Sequence, residues 1–125
     1  MVSVKEIDGS NKPVLHKVKK FLGKPHDKVD CVQLVAEWHE MSRFATLAKL
    51  VCKHKDKEFI DTPVDGTVIL WKMLEGYFHV GVYISKDLMI HSEEFRGVCI
   101  TDISQPPWKS TYREYFSFDK GVGNV

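Results

Sequence analysis

Apolar residues recur at helical spacing through the first half of the chain and alternate through the second. Val14, Val18, Phe21 and Leu22 form one stripe, opposite His16, Lys17, Lys19 and Lys20, whose basic run reads as a solvated face. This predicts a first helix with Asn11 or Lys12 at its cap, Pro13 in its first turn and Gly23 closing it before Lys24-Pro25. A second helix is expected from Cys31 to about Ser42, with Val35, Trp38 and Met41 on a broad apolar face beside Val32 and Leu34. Leu47, Leu50 and Val51 carry the pattern on from Phe44 to Cys52, as a bent extension or as a separate helix. Cys52 falls on its apolar side and reads as core, whereas His54 sits in a polar run with no evident partner.

From Thr62 the period becomes two. Pro63-Val64-Asp65-Gly66 is turn chemistry. Strands are expected at 67–71, 77–84, 88–92, 98–103 and 112–118, with turns at Glu75-Gly76 and Ser85-Lys86-Asp87 and a break at Gln105-Pro106-Pro107. Residues 2–7 alternate weakly and suggest a short edge strand before a turn at 8–11, and 119–125 read as a loose tail. Helices followed by an antiparallel meander mean α+β. The chain, 1–125, is expected to form one domain, without repeats or linkers.

Composition narrows the function. With 28% charged and 43% hydrophobic residues, the chain is of ordinary globular make-up. A net charge of +1 gives no electrostatic case for nucleic acid or an acidic membrane surface. No apolar run reaches membrane-spanning length, and the N-terminus lacks the apolar core of a signal peptide. Three cysteines at unpatterned spacings make a disulfide framework unexpected. Synthesis in the cytoplasm, without a secretion signal, is the expectation.

The chemistry centres on Cys31. Asp30 is placed to cap the second helix, with Gln33 at capping-box spacing. Cys31 then occupies the first helical position, where free amides and the positive end of the macrodipole favour the thiolate. The plain alternative is that Cys31 is a small buried hydrophobe, as most free cysteines are. A nucleophilic thiol needs a base and an orienting group, and His79 and His91 lie in two strands. If residues 85–87 form a three-residue turn, Ile84 faces Leu88, Gly81 faces His91 and His79 faces Glu93. The two histidines then become diagonal neighbours on one face, about 7–8 Å apart at the backbone, with Gly81 leaving room between them. A turn of two or four residues would put them on opposite faces. Each histidine, taken alone, reads more readily as a packed strand residue than as a functional one.

Four blocks taken together resemble the NlpC/P60 family: Asp30-Cys31-x-x-Leu34-Val35, Pro63-Val64-Asp65-Gly66-Thr67-Val68, His79-Val80-Gly81-Val82-Tyr83-Ile84 and Met89-Ile90-His91-Ser92. Members are papain-like cysteine peptidases that mostly act on the peptide stems of bacterial cell wall. The resemblance implies Cys31 as nucleophile, His79 as base and His91 as the third polar residue, on a cysteine-bearing helix packed against an antiparallel sheet. Two features depart from the family pattern. Val32-Gln33 replace the usual Ser-Gly after the cysteine, and the loop before it is cut to Asp27-Lys28-Val29-Asp30. His26 stands where relatives place an aromatic residue near the oxyanion; it could donate there or point to water. The compact length, the missing secretion signal and wall-binding module, and the Val after Cys31 look more like tail-associated members from bacteriophages than secreted bacterial enzymes.

The function expected is therefore hydrolysis of amide bonds in peptidoglycan stem peptides, on a phage tail tip and with tail-tip proteins as partners. No cofactor, metal, nucleic acid or membrane span is expected. The alternative is a structural or assembly protein of a phage tail that keeps the fold without turnover. A zinc site from Cys31, His79 and His91 is a third and weaker reading, because it lacks a close-spaced ligand pair.

Overall fold

The computed structural model describes residues 12–51, 58–73 and 76–117. The expected edge strand at 2–7, the turn at 8–11, Cys52, His54, Glu75 and the tail at 119–125 lie outside the described residues. Helices α1 (Lys12–Phe21), α2 (Cys31–Trp38) and α3 (Arg43–Val51) are followed by strands β1 (Glu58–Phe59), β2 (Val68–Lys72), β3 (Phe78–Tyr83), β4 (Leu88–Glu93), β5 (Gly97–Asp102) and β6 (Arg113–Ser117). The class is α+β, as the change of period from helical to alternating requires. Among the described residues no helix is long and apolar enough to cross a membrane.

In α1, Val18 and Phe21 are buried as the stripe demands, whereas Leu22 is exposed and Leu15 packs against the core instead. Gly23 takes φ +87°, the left-handed conformation that closes a helix. α2 stops at Trp38, earlier than its apolar pattern suggests, and α3 is a separate helix. Glu40 turns the chain at φ +54°, His39 Nε2 bonds the Gly66 carbonyl at 2.8 Å, and Ser42 Oγ caps α3 by accepting from the Ala45 amide at 3.1 Å. The sequence around the break holds neither glycine nor proline, so contacts with the rest of the fold make it.

The sheet order is β1-β6-β2-β3-β4-β5, with every neighbouring pair antiparallel. β2 to β5 form the expected meander, and β6 returns to the free edge of β2. β1 adds a two-residue pair outside β6, in a stretch that the sequence presents as loop. Between β3 and β4 the turn does have three residues: the Ile84 amide bonds the Leu88 carbonyl at 2.9 Å, and Val82 pairs with Ile90 and Tyr83 with Met89. Ser85, Lys86 and Asp87 all take positive φ without a glycine among them. Tyr83 Oη accepts from the Asp87 amide at 3.0 Å, and the Asp87 carbonyl accepts from the Ile103 amide at 2.8 Å, which holds this turn in its unusual conformation.

The sheet has two buried faces. Val68, Leu70, Val80, Val82 and Ile90 pack against Val18, Phe21, Leu34 and Val35 of the helices. Each large side chain fully buried there contributes about 1.5–3 kcal/mol. Ile69, Trp71, Tyr83, Met89 and Ile103 form a second cluster on the opposite face, beneath Trp108 and Tyr115. His79 and His91 share the alternation of this second set. The loop from Gly23 to Asp30 is strapped across the far strands. The Gly23 amide bonds the Val98 carbonyl at 2.9 Å, the Val98 amide bonds the Lys24 carbonyl at 2.8 Å, and Ser92 Oγ donates to the Val29 carbonyl. Gly97, at φ +72°, lies directly against this strap.

Candidate active site

Asp30 caps α2 as its sequence position predicts. Its carboxylate accepts from the Gln33 amide at 2.8 Å and also takes a two-pronged ion pair from Arg43 of α3, with both N–O distances 2.8 Å. Burial raises the Asp30 carboxyl, but Arg43 and the Gln33 amide outweigh it and leave a net downward shift. The charge next to Cys31 is thus fixed in place and partly neutralised. Arg43 has no signal in the sequence, because its partner comes from the preceding helix.

Cys31 opens α2 and is half-buried. The pairing of β3 with β4 extends no further than Val82, and the Val80 amide beyond it turns to the Cys31 sulfur. The helix therefore reaches the sheet where two strands part, one residue along from His79. Burial pushes the Cys31 thiol upward, aided by the Asp30 charge, and the amides of Val80, Val32 and Cys31 itself oppose that rise. The helix N-terminus does favour the thiolate, as expected, but desolvation is larger and the resting sulfur is a thiol.

The histidines meet as the register predicts. His79 Nε2 lies 2.8 Å from His91 Nδ1, with the rings at 79°. Gly81 sits between them, and a Cβ there would come within 3.1 Å of the His91 Cβ and collide with the Met89 side chain. His91 is completely buried, and its Nε2 faces Thr101 Oγ1 at 2.7 Å, Glu93 Oε1 at 3.4 Å and Cys99 Sγ at 3.7 Å. A carboxylate beside Nε2 favours a proton on that nitrogen. The His91 Nδ1 lone pair then accepts from His79 Nε2–H, which leaves Nδ1 of His79 bare and able to take a proton.

Trp108 completes the cluster, and sequence reasoning missed it. Its ring packs 5.8 Å from His79 and 5.4 Å from His91, and edge-on against Trp71 at 4.8 Å. Arg113 donates to the Trp108 carbonyl at 3.2 Å and lies 5.0 Å over the Trp71 ring. The only hint in the sequence is an aromatic residue directly after Pro106-Pro107. His26, the remaining candidate, is half-buried on the strapped loop, and its charge disfavours protonation of both Asp30 and His79. Among the described residues the metal-type donors that converge are His91, Glu93 and Cys99, a set that excludes Cys31 and His79.

Burial, with the charge of His26, lowers His79 to about 4, and burial, with the charges of His79 and Arg96, lowers His91 to about 3. Both rings are neutral near neutrality. The unfolded chain binds protons on them at its ordinary value of 6.5, whereas the folded chain does not. The stability they allow is complete above that value and is lost as the pH falls toward 4 and below. The urea midpoint should therefore drop between about pH 7 and 4, and the drop should be shallower in His79→Gln. A flat profile would refute the buried, neutral pair.

A thiol at the head of a helix, set against an antiparallel sheet that carries paired imidazoles, is the architecture of a papain-like fold. The chain belongs to the NlpC/P60 family, whose model matches residues 19–117. A stretch of 49 residues is 33% identical to the murein DD-endopeptidase/murein LD-carboxypeptidase MepS of Escherichia coli K12, and equally to its counterparts in strains O6:H1 and O157:H7. The match covers 39% of this chain and 26% of each relative, so the chain spans about a quarter of their length.

Proposed function

We propose that the chain is a cysteine hydrolase that cleaves amide bonds in peptidoglycan stem peptides. The observation that carries this reading is the His79–His91 hydrogen bond beside the head of α2, in a member of the NlpC/P60 family. The E. coli relatives, named for murein cleavage, supply the substrate class.

With the sulfur a resting thiol and His79 neutral, attack is general-base assisted. His79 Nδ1 takes the Cys31 proton as the sulfur bonds to the substrate carbonyl carbon. His91 accepts from Nε2 and steadies the imidazolium that forms. The oxyanion is held by the Cys31 backbone amide and by His26 or an amide near it. Collapse breaks the C–N bond, and His79 returns its proton to the leaving amine. Water, deprotonated by His79, then cleaves the thioester and restores the thiol. Mass spectrometry of purified wall fragments after incubation with the protein tests the activity. Newly freed stem-peptide amines are expected, and their absence would favour the alternative of a tail protein that keeps the fold without turnover.

Removing one oxyanion donor typically costs about 100- to 1000-fold in turnover. His26→Ala should lose that much on a wall-derived peptide, and His26→Gln, which retains a donor, should recover part of it. An unchanged rate in His26→Ala would remove the His26 side chain from the oxyanion hole. We further propose carriage on a bacteriophage tail tip, following synthesis in the host cytoplasm. The Val after Cys31 supports this, and a proteomic search of purified virions checks it.

A further inference from the structure

The β4–β5 hairpin carries donors that hydrolysis does not use: Glu93, Cys99 and the Nε2 side of His91. His91 and Cys99 are directly paired across the two strands, and Glu93 lies two residues beyond His91 on the same face. This register brings an imidazole nitrogen, a thiol and a carboxylate to one point. Glu93 Oε1 is 3.4 Å and Cys99 Sγ 3.7 Å from His91 Nε2, and all three donors lie within 4.8 Å of one another. Bonds to a tetrahedral zinc ion of about 2.0–2.1 Å for N and O and about 2.3 Å for S place donor pairs roughly 3.3–3.6 Å apart. The first two separations already approach those edges.

We propose that His91 Nε2, Glu93 and Cys99 form a binding site for a borderline-soft divalent ion of the zinc class, and that its occupation reverses the proton order of the His79–His91 pair. One nitrogen, one sulfur and one oxygen donor suit such an ion, whereas Mg2+ and Ca2+ take oxygen alone. Glu93 is 27% exposed and forms the solvent side of the group, whereas Cys99 and His91 are buried. The ion enters past Glu93, and a water or the Thr101 hydroxyl completes four ligands. Present contacts must yield, among them the Thr101 side-chain bond to Cys99. Thr101 Oγ1 gives up His91 Nε2 at 2.7 Å, and the exposed Arg96 gives up Glu93 Oε2 at 3.5 Å. Cys99 releases its thiol proton to solvent as the S–metal bond forms.

The consequence follows from the imidazole inventory. A metal on Nε2 needs that lone pair, so the His91 proton must sit on Nδ1. Nδ1–H then donates to His79 Nε2, and the His79 proton moves to Nδ1. The nitrogen that would accept from Cys31 is filled, and the base is switched off. This last step rests on the peptidase reading, whereas the binding site does not.

The test is titration of the reduced full chain with Co2+, read by thiolate-to-cobalt charge transfer and tetrahedral d–d bands. One equivalent is expected in the wild type and in Cys31→Ala. The charge-transfer band should vanish in Cys99→Ala, and Glu93→Gln should weaken binding by about 10- to 100-fold. No band, or a band that survives in Cys99→Ala and disappears in Cys31→Ala, overturns the site. Ring-nitrogen NMR with Zn2+ then reads the tautomers independently of turnover. A metal-bound His91 Nε2 with a protonated His79 Nδ1 is expected, and an unchanged His79 overturns the switch. A cobalt band in a protein that cleaves no wall fragment leaves the metal site standing and removes only the peptidase reading.

Discussion

Cys31→Ala should abolish cleavage of wall fragments while the protein folds as before. Nucleophile deletion in enzymes of this kind costs on the order of 10^4- to 10^6-fold in turnover, because base and orienter have nothing left to activate. The structural cost is small. Asp30 still caps α2 through the Gln33 amide and still holds Arg43, and neither contact involves the sulfur. The thiol is only partly buried where it packs against the core, so a loss of about 1 kcal/mol is the most expected from its removal. Thermal unfolding alongside a peptide-release assay separates the two effects. An alanine variant that cleaves at the wild-type rate would end the cysteine-hydrolase reading. Cys99→Ala behaves differently, since Cys99 is buried opposite His91 and its loss should act on stability.

His79→Ala should be nearly as damaging as loss of the nucleophile, and more so than His91→Ala. Without His79 the thiol proton has no acceptor and the leaving amine no donor. Without His91 the base survives but loses the acceptor that fixes its tautomer and angle. Loss of the orienting member alone leaves activity about 10- to 100-fold higher than loss of the base. His91 is completely buried, so its truncation also leaves a cavity and deprives Thr101 of its partner. His91→Asn is the better probe, since its amide oxygen can still accept from His79 Nε2–H and should restore part of the rate. Circular dichroism keeps loss of fold apart from loss of chemistry. Full activity in His79→Ala together with an inert His91→Ala would show the roles to be misassigned.

What could be read from the sequence was local. The cap at Asp30 and the left-handed Gly23 are set by neighbours a few positions away, and the three-residue turn at 85–87 is set in part by Tyr83 and in part by the distant Ile103. That turn fixed the parity of β3 against β4 and so brought His79 and His91 to one face. Arg43 on Asp30 and Trp108 over the histidines come from segments far along the chain, and no periodicity announces them. The end of α2 at Trp38 was hidden for the same reason: Glu40 turns without glycine, and the contact of His39 with Gly66 belongs to the assembled fold. The state of Cys31 was half legible. Its helix position shows in the sequence, but the depth to which β3 buries it does not.

Gly97 illustrates how a site can dictate a residue it never touches. A left-handed turn position commonly accepts asparagine in place of glycine. Here a Cβ would run into the Lys24 carbonyl and crowd Pro25, on the strap that leads to His26 and Cys31. The restriction therefore comes from the neighbouring loop on top of the hairpin's own left-handed backbone. Any side chain at 97 pushes the segment that leads to Cys31 off β5, and on the peptidase reading the lesion would surface as lost chemistry well away from the mutated hairpin. In a library of random substitutions, position 97 should behave as an active-site residue by phenotype while being a spacer by structure.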